Sequence, residues 1–245
     1  LKISLVTVVY NAQDTIARCI ESVVGQNYPD IEHIIIDGGS TDNTLQIIDR
    51  YRSAVSLIIS EPDQGIYDAM NKGIKLATGQ VVGTLNADDM LASSEVLSAV
   101  AQAFVQQDLG IVYGNLNVIN LQGNITRKWA SKQCVIKSFN WGFMPPHPTF
   151  YCKRELFGKL GFYSLEYGSA ADYELMVRFM YRYRVSCYFL NKVLVNMLAG
   201  GVSNNSLKNR LNAWKFDLKA MRNNGLKLPV FALVLKPLRK VYQYF

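Results

Sequence analysis

The stretch Val81-Val82-Gly83-Thr84-Leu85-Asn86-Ala87-Asp88-Asp89 decides the fold. Residues 81–85 form an apolar run of the kind that is covered on both faces of a sheet. The run stops at polar residues that end in two adjacent carboxylates. The same design occurs three times before it. Ile3–Val9 ends in Tyr10-Asn11, His33–Ile36 ends in Asp37-Gly38-Gly39-Ser40-Thr41-Asp42, and Val55–Ile59 is followed by Glu61-Pro62-Asp63-Gln64-Gly65. Between these runs, Ile16, Cys19, Ile20, Val23 and Val24 recur at helical spacing, as do Leu45, Ile48 and Tyr51. A further helix is expected from Tyr67 to Ala77. Asn11 and Asp14 offer capping oxygens to the first helix and Asp42 to the second. Strands alternating with helices imply an α/β fold with a mostly parallel, Rossmann-like sheet flanked by helices. Such sheets bind ligands at the carboxyl ends of their strands. Four polar strand ends in succession therefore predict one site.

The second half is less regular. A helix is expected over Ser94–Gln107, strands over Ile111–Ile119 and Ile125–Trp129 with a turn at Gly123-Asn124, and a rigid loop at Phe143 to Pro148. Tyr173–Tyr183 fits a helix that starts at Asp172. Val185–Leu190 and Val193–Leu198 read as a short strand pair, and Ala199 to Ser203 as a flexible loop. Leu207, Leu211, Trp214, Leu218 and Met221 then mark one stripe of an amphipathic helix. Residues 1–205 read as one domain, with a nucleotide-binding half (1–90) and an acceptor-binding half (91–205). Residues 206–245 read as a basic amphipathic helical extension.

Composition limits the function classes. The chain has 245 residues, 49% of them hydrophobic, which is enough for one substantial core. Cys19, Cys134, Cys152 and Cys187 are scattered without CxxC spacing, so reduced, cytosolic thiols are expected rather than a zinc site or disulfide framework. With only His33 and His147, a histidine-rich metal centre is excluded. The first apolar run reads as a strand, not as a signal peptide. No apolar stretch reaches the roughly 18 residues a spanning helix needs, so the chain is not expected to cross a membrane. The residues after the first strand, Tyr10-Asn11-Ala12-Gln13, form neither a dinucleotide-binding nor a P-loop motif, and no serine nucleophile elbow is present.

Asp88-Asp89 reads either as a solvated turn capping the next helix or as a pair of oxygen ligands for Mn²⁺ or Mg²⁺. Asp37 reads either as part of a glycine turn or as an acceptor for the ring N–H of a base. Asp172 reads as a helix cap or as a general base. His147, fixed between Pro146 and Pro148, is either a packing residue or a contact to diphosphate or acceptor. Arg178 reads as a surface or salt-bridge residue. Trp141, Phe143 and Tyr167 are candidates for an acceptor groove or for core.

These motifs together resemble the family-2 glycosyltransferases with the GT-A fold. The carrying segments are Thr7 to Ala12, Ile36 to Thr44, Glu61 to Gly73 and Leu85 to Asp89, in family order over residues 3 to about 90. A weaker match continues through His147 and Ala171-Asp172-Tyr173 to Gly200-Gly201-Val202-Ser203. The resemblance implies an inverting enzyme that moves one sugar from a UDP-, GDP- or dTDP-sugar. It implies donor contacts from Thr7, Val9, Asn11, Asp37, Asp63, Asp68, Asp88 and His147, with Asp37 reading the base. It implies a divalent metal on Asp88 and Asp89, and Asp172 as catalytic base. The chain departs from the family pattern at Asn86, Gly38 and Ala171, where acids are common.

The net charge of +7 is unevenly placed. Residues 207–245 hold nine Lys/Arg and one acid, Asp217, so the tail is +8 and the rest is about −1. A basic amphipathic tail reads either as a contact to an anionic membrane surface or as a helix packed on the body. The first reading implies a cytoplasmic enzyme, peripheral on the inner face of the membrane, with a glycan or glycolipid acceptor. A near-neutral body without a nucleic-acid module argues against nucleic acid. Two alternatives are a sugar-nucleotide-forming nucleotidyltransferase and a non-catalytic nucleotide-binding subunit.

Overall fold

The computed structural model describes residues 1–200, 207–241 and 243, with the backbone alone for 207–210, 240 and 241. Gly201, Val202 and Ser203 of the expected glycine loop lie outside the described residues. The first half alternates as the apolar runs require: β1 (Ile3–Val9), α1 (Ile16–Val24), β2 (Ile31–Asp37), α2 (Thr44–Asp49), β3 (Leu57–Ser60), α3 (Ile66–Leu76) and β4 (Val81–Asn86). These strands lie in the order β3-β2-β1-β4 and all run parallel. The chain moves outward from β1 to β3, then crosses back to lay β4 on the other side of β1. That reversal opens a crevice at the carboxyl ends of β1 and β4.

The sheet continues through the second half. There the elements are β5 (Met90–Leu91), α4 (Val96–Gln106), β6 (Ile111–Ile119), β7 (Ile125–Trp129), β8 (Tyr151–Lys153), α5 (Arg154–Leu160), α6 (Ala171–Met176), β9 (Cys187–Leu198), α7 (Leu207–Asn223) and α8 (Pro229–Val241). β8 runs antiparallel between β4 and β6, β9 runs parallel to β6, and β5 and β7 add antiparallel pairings to β9 and β6. The sheet is therefore parallel around the crevice and mixed beyond it.

Two expectations are corrected. The strand pair expected over 185–198 is one strand, β9. Its register against β6 shifts between Tyr113 and Leu116, which absorbs the polar residues Asn191-Lys192 as an irregularity rather than a turn. The helix expected over 173–183 is α6 followed by a π-helical turn, Val177–Arg182. Pro237 sits inside α8. The inner face of α8 is anchored there: Ala232 is fully buried and Lys236 Nζ lies 2.7 Å from Asp217.

Side chains alternate across β1, so the sheet builds two cores. Ile3, Leu5 and Val9 pack with Ile16 and Ile20 of α1 and Leu97 and Val100 of α4. Val6 and Val8 face Met70 and Ile74 of α3, and the same cluster takes in Tyr173, Met221 and Ala232. The basic tail thus contributes to the core of the body.

At the amino ends of the strands, buried Glu32 joins several elements. It accepts from Ser4 Oγ (2.5 Å), Thr78 N (2.8 Å), Thr78 Oγ1 (2.5 Å) and Lys2 Nζ (3.0 Å). Burial alone would raise its pKa, but these donors outweigh burial and hold it at about 2. Glu32→Ala leaves the donors unpaired and should cost about 1–3 kcal/mol of stability. The folded-state pKa lies below the ordinary 4.5, so this contribution is present above pH 4.5 and fades as the pH falls toward 2. Melting curves of wild type and variant should converge in that window; a gap that persists to its lower end would assign the loss to packing alone.

Candidate active site

The loops after β1 and β2 are laced together at the crevice. Asn11 adopts a left-handed backbone (φ 47°), which asparagine tolerates. Its Oδ1 accepts from Thr41 N (2.8 Å), and its own N–H donates to Ser40 Oγ (2.8 Å). Gln13 N donates to Asp42 Oδ2, and Asp42 Oδ1 receives Thr44 N at the start of α2. Asp42 thus satisfies the start of α2 as expected. Asn11 and Asp14 do not cap α1, because Asn11 is turned toward the neighbouring loop and α1 starts after Thr15 without a side-chain cap.

The donor-side residues divide into buried and open sets. Thr7 is fully buried, with its hydroxyl 2.9 Å from His33 Nε2. Burial holds the His33 pKa down at about 4, so that ring is neutral. Val9 is buried in the core on the α1 side. The strand pleat turns the side chains of both Thr7 and Val9 inward. Asp37 is also fully buried. It accepts from Gly39 N (3.1 Å), Ser40 N (3.0 Å), Ser40 Oγ (2.5 Å) and Ser60 Oγ (2.7 Å). Three of these donors meet Oδ2 and one meets Oδ1, so Asp37 organises the turn at the end of β2.

Asp63 occupies the open position. Its Oδ1 accepts from Gly65 N (2.7 Å), while its carboxylate lies directly over Gly38, where a Cβ would collide with it. The glycine that replaces an acid in the family pattern makes room for a carboxylate from the next loop. Asp68 and Lys72 brace that loop. Asp68 Oδ2 receives Gln64 N (3.1 Å), and Lys72 Nζ bonds Pro62 O (2.9 Å) and pairs with Glu61 (2.8 Å).

The two acids after β4 have different surroundings. Asp89 is fully buried, and its Oδ2 accepts from Asn86 Nδ2 at 3.1 Å. Its Oδ1, like Asn86 Oδ1, is buried with no partner among the described residues. Burial first, then the neighbouring charge of Asp88, push its pKa well above the ordinary value, against the opposing bonds from Asn86 and the Leu198 amide. Asp88 is half-buried, and burial raises its pKa as well. Among the described residues no three His, Cys, Asp or Glu side chains cluster as a metal cage. The fit to a divalent cation rests on orphaned, uncompensated carboxylate oxygen at an open strand end. Asn86 fills its family position by orienting Asp89.

On the acceptor side, Asp172 stands in the first turn of α6, with Oδ1 bonded to Tyr173 N (2.7 Å) and Oδ2 3.1 Å from His147 Nδ1. It does not cap the helix; that position is Ala170. Tyr67, at the start of α3, donates to Ser169 O (3.4 Å), and its pKa is pushed up by burial and then by the charge of Asp172. Tyr67 therefore links the Asp63 loop to the proposed base. Its residue type alone gave no signal of this contact, which depends on a residue far along the chain. Arg178 is nearly buried, pairs with Glu174 (3.0 Å) and binds the carbonyls of Gly161 (2.9 Å) and Phe162 (2.7 Å) beneath α6. Phe143 and Tyr167 are core residues, whereas Trp141 is 52% exposed.

A parallel switch-point crevice edged by acidic strand ends is the frame of a nucleotide-dependent group-transfer enzyme. The chain belongs to glycosyl transferase family 2, whose model matches residues 4–167. It is a glycosyltransferase that takes sugar from a nucleotide-sugar donor, which displaces the nucleotidyltransferase and non-catalytic alternatives. It is 32% identical over 181 residues to a PGL/p-HBAD biosynthesis glycosyltransferase of Mycobacterium tuberculosis, covering 71% of this chain and 68% of that protein. The fold matches S. aureus TarS in complex with UDP (TM-score 0.71, 19% identity, 98% of this chain and 71% of the other). It also matches a mannosyltransferase of Pyrobaculum calidifontis in complex with GDP-Man and Mn²⁺ (TM-score 0.69, 16% identity, 99% of this chain and 72% of the other).

Asp37→Ala should lower stability by about 1–3 kcal/mol, because it strands buried donors. Asp63→Ala should leave the melting temperature nearly unchanged and weaken the thermal shift produced by nucleotide. Equal destabilisation by both variants would contradict this division.

Proposed function

We propose that the protein is an inverting transferase that adds one sugar to a lipid-linked glycan acceptor in cell-surface polysaccharide or glycolipid assembly. The observation that supports the inverting reading is a single carboxylate, Asp172, beside His147 and close to Tyr67 at the start of the helix that follows the Asp63 loop. Asp172 accepts the proton of the acceptor hydroxyl as that oxygen forms its bond to the anomeric carbon. The bond to the diphosphate breaks on the far side, so the configuration inverts and the proton remains on the carboxylate. His147 Nδ1 lies 3.1 Å from Asp172 Oδ2, beside the carboxylate that takes the proton.

On the donor side, Asn11, Asp37, Asp63 and Asp68 shape the nucleotide pocket, with Asp37 at the base and Asp63 beside it over Gly38. A uridine, guanosine or thymidine diphosphate sugar fits this chemistry, since each base offers a ring N–H. Asp88 supplies the open carboxylate for Mn²⁺ or Mg²⁺, and Asp89 the buried one behind it. Such a cation prefers few protein oxygens plus phosphate and water, and when bound it offsets charge on the diphosphate. The mannosyltransferase bound to GDP-Man and Mn²⁺ supports this assignment by likeness of fold. Among the described residues no helix is long and apolar enough to cross a membrane. We place the enzyme in the cytoplasm, peripheral on the inner membrane face, because its tail is +8 and because a lipid-linked acceptor has to be met there.

Asp172→Asn should reduce transfer by about 10²–10⁴-fold while leaving the nucleotide-induced thermal shift intact. Loss of that shift would make Asp172 structural. Asp88→Ala should remove the manganese-dependent part of both the thermal shift and donor hydrolysis; retention of both would refute the metal assignment.

A further inference from the structure

The sequence has two long stretches without a single acid, residues 109–154 and 218–245. The fold brings them together. Gly142 lets the backbone of α8 approach closely: a Cβ there would stand 2.6 Å from Lys236 N and 2.9 Å from Ala232 O. Asn140 Oδ1 receives Lys227 N at 3.1 Å, and Trp141 packs edge-on against Phe231 with ring centroids 5.3 Å apart. Lys236 turns inward, 3.7 Å from the Tyr173 ring centroid and bonded to Asp217. With its inner face used in this way, α8 presents the rest outward.

That outward face is apolar. Phe231, Val234 and Leu238 follow one helical stripe and are 43%, 53% and 55% exposed, beside Trp141 at 52%. Exposed Lys137 stands four residues before Trp141 and exposed Lys227 four before Phe231, and neither contributing stretch of sequence contains an Asp or Glu to oppose them. Large exposed aromatic and aliphatic side chains, with exposed lysines and no acid in the two stretches that supply them, match the interfacial layer of an anionic bilayer. A partner protein surface would ordinarily be met by charges of both signs.

We infer that this composite face, Trp141 with Phe231, Val234 and Leu238, docks the enzyme on an anionic lipid surface and sets the side from which a lipid-linked acceptor enters. The membrane contact is then not the tail alone: the body supplies Trp141 and Lys137. The same segment leads through Pro145-Pro146 into His147, which touches Asp172, and Lys236 of α8 covers Tyr173, the next residue after Asp172. The docking face and the base are thus parts of one packed unit. This inference rests on the lipid-linked acceptor reading above and deepens it.

The test is co-flotation with vesicles of phosphatidylcholine alone and of phosphatidylcholine with phosphatidylglycerol. Wild type should float with the anionic vesicles and not with the neutral ones. Lys137→Gln with Lys227→Gln should weaken binding about thirtyfold, as expected for two surface lysines. Trp141→Ser with Phe231→Ser should abolish it, whereas Val105→Ser, an exposed apolar position on α4, should leave it unchanged. A Trp129→Phe/Trp214→Phe variant, with Trp141 as its one tryptophan, should lose emission to bromine-labelled lipid; this readout leaves the docking face itself unaltered. The inference is overturned if wild type ignores anionic vesicles, if Trp141 emission is untouched, or if the face instead holds a dimer that Trp141→Ser/Phe231→Ser turns into monomer. Transfer to a water-soluble acceptor, measured in parallel, separates the two claims. Transfer without flotation rejects only the docking face, and flotation without transfer rejects only the proposed activity.

Discussion

The structure depends on the central position of β1, which pairs in parallel with β2 on one side and β4 on the other. Parallel pairing puts the carboxyl ends of all three strands on the same edge, and the reversal of strand order separates the loops that follow them. Every donor-side residue discussed above hangs from that edge. The pleat of β1 also decides which residues are lost to the core: Thr7 and Val9 point inward, while Asn11, beyond the strand, is exposed.

Carboxylates of one residue type take three different roles here because their surroundings differ. Asp37 accepts from four donors and holds a turn. Asp89 is buried, with a single side-chain donor from Asn86 and one orphaned oxygen. Asp63 and Asp88 keep access to the crevice. A carboxylate whose hydrogen-bond sites are occupied is a scaffold, and one with unused oxygen can still take up a ligand. The departures from the family pattern follow the same logic. Gly38 leaves space for Asp63, and Asn86 offers Asp89 an amide donor that a third acid could not supply.

The second half of the chain closes the site from the other side. β8 joins antiparallel to β4 and carries the His147 loop beside it, while α6 brings Asp172 to the crevice. α7 and α8 pack behind α6, where Lys236 meets both Asp217 and the ring of Tyr173. The tail therefore supports the proposed base mechanically and still leaves an apolar face outward.

The sequence by itself determined the alternating α/β order, the parallel edge and the four polar strand ends. Each of these follows from local periodicity and from where apolar runs stop. It also marked Asp172 and His147 as candidates, although not as neighbours. Only the tertiary structure decided that they touch, that Tyr67 joins them, that Asp63 lies over Gly38, and that Trp141 shares a surface with α8. These facts depend on contacts between residues far apart in the chain, and no local pattern encodes them. The unbroken strand β9 was hidden for the same reason: pairing with β6 outweighed the local propensities of the residues involved.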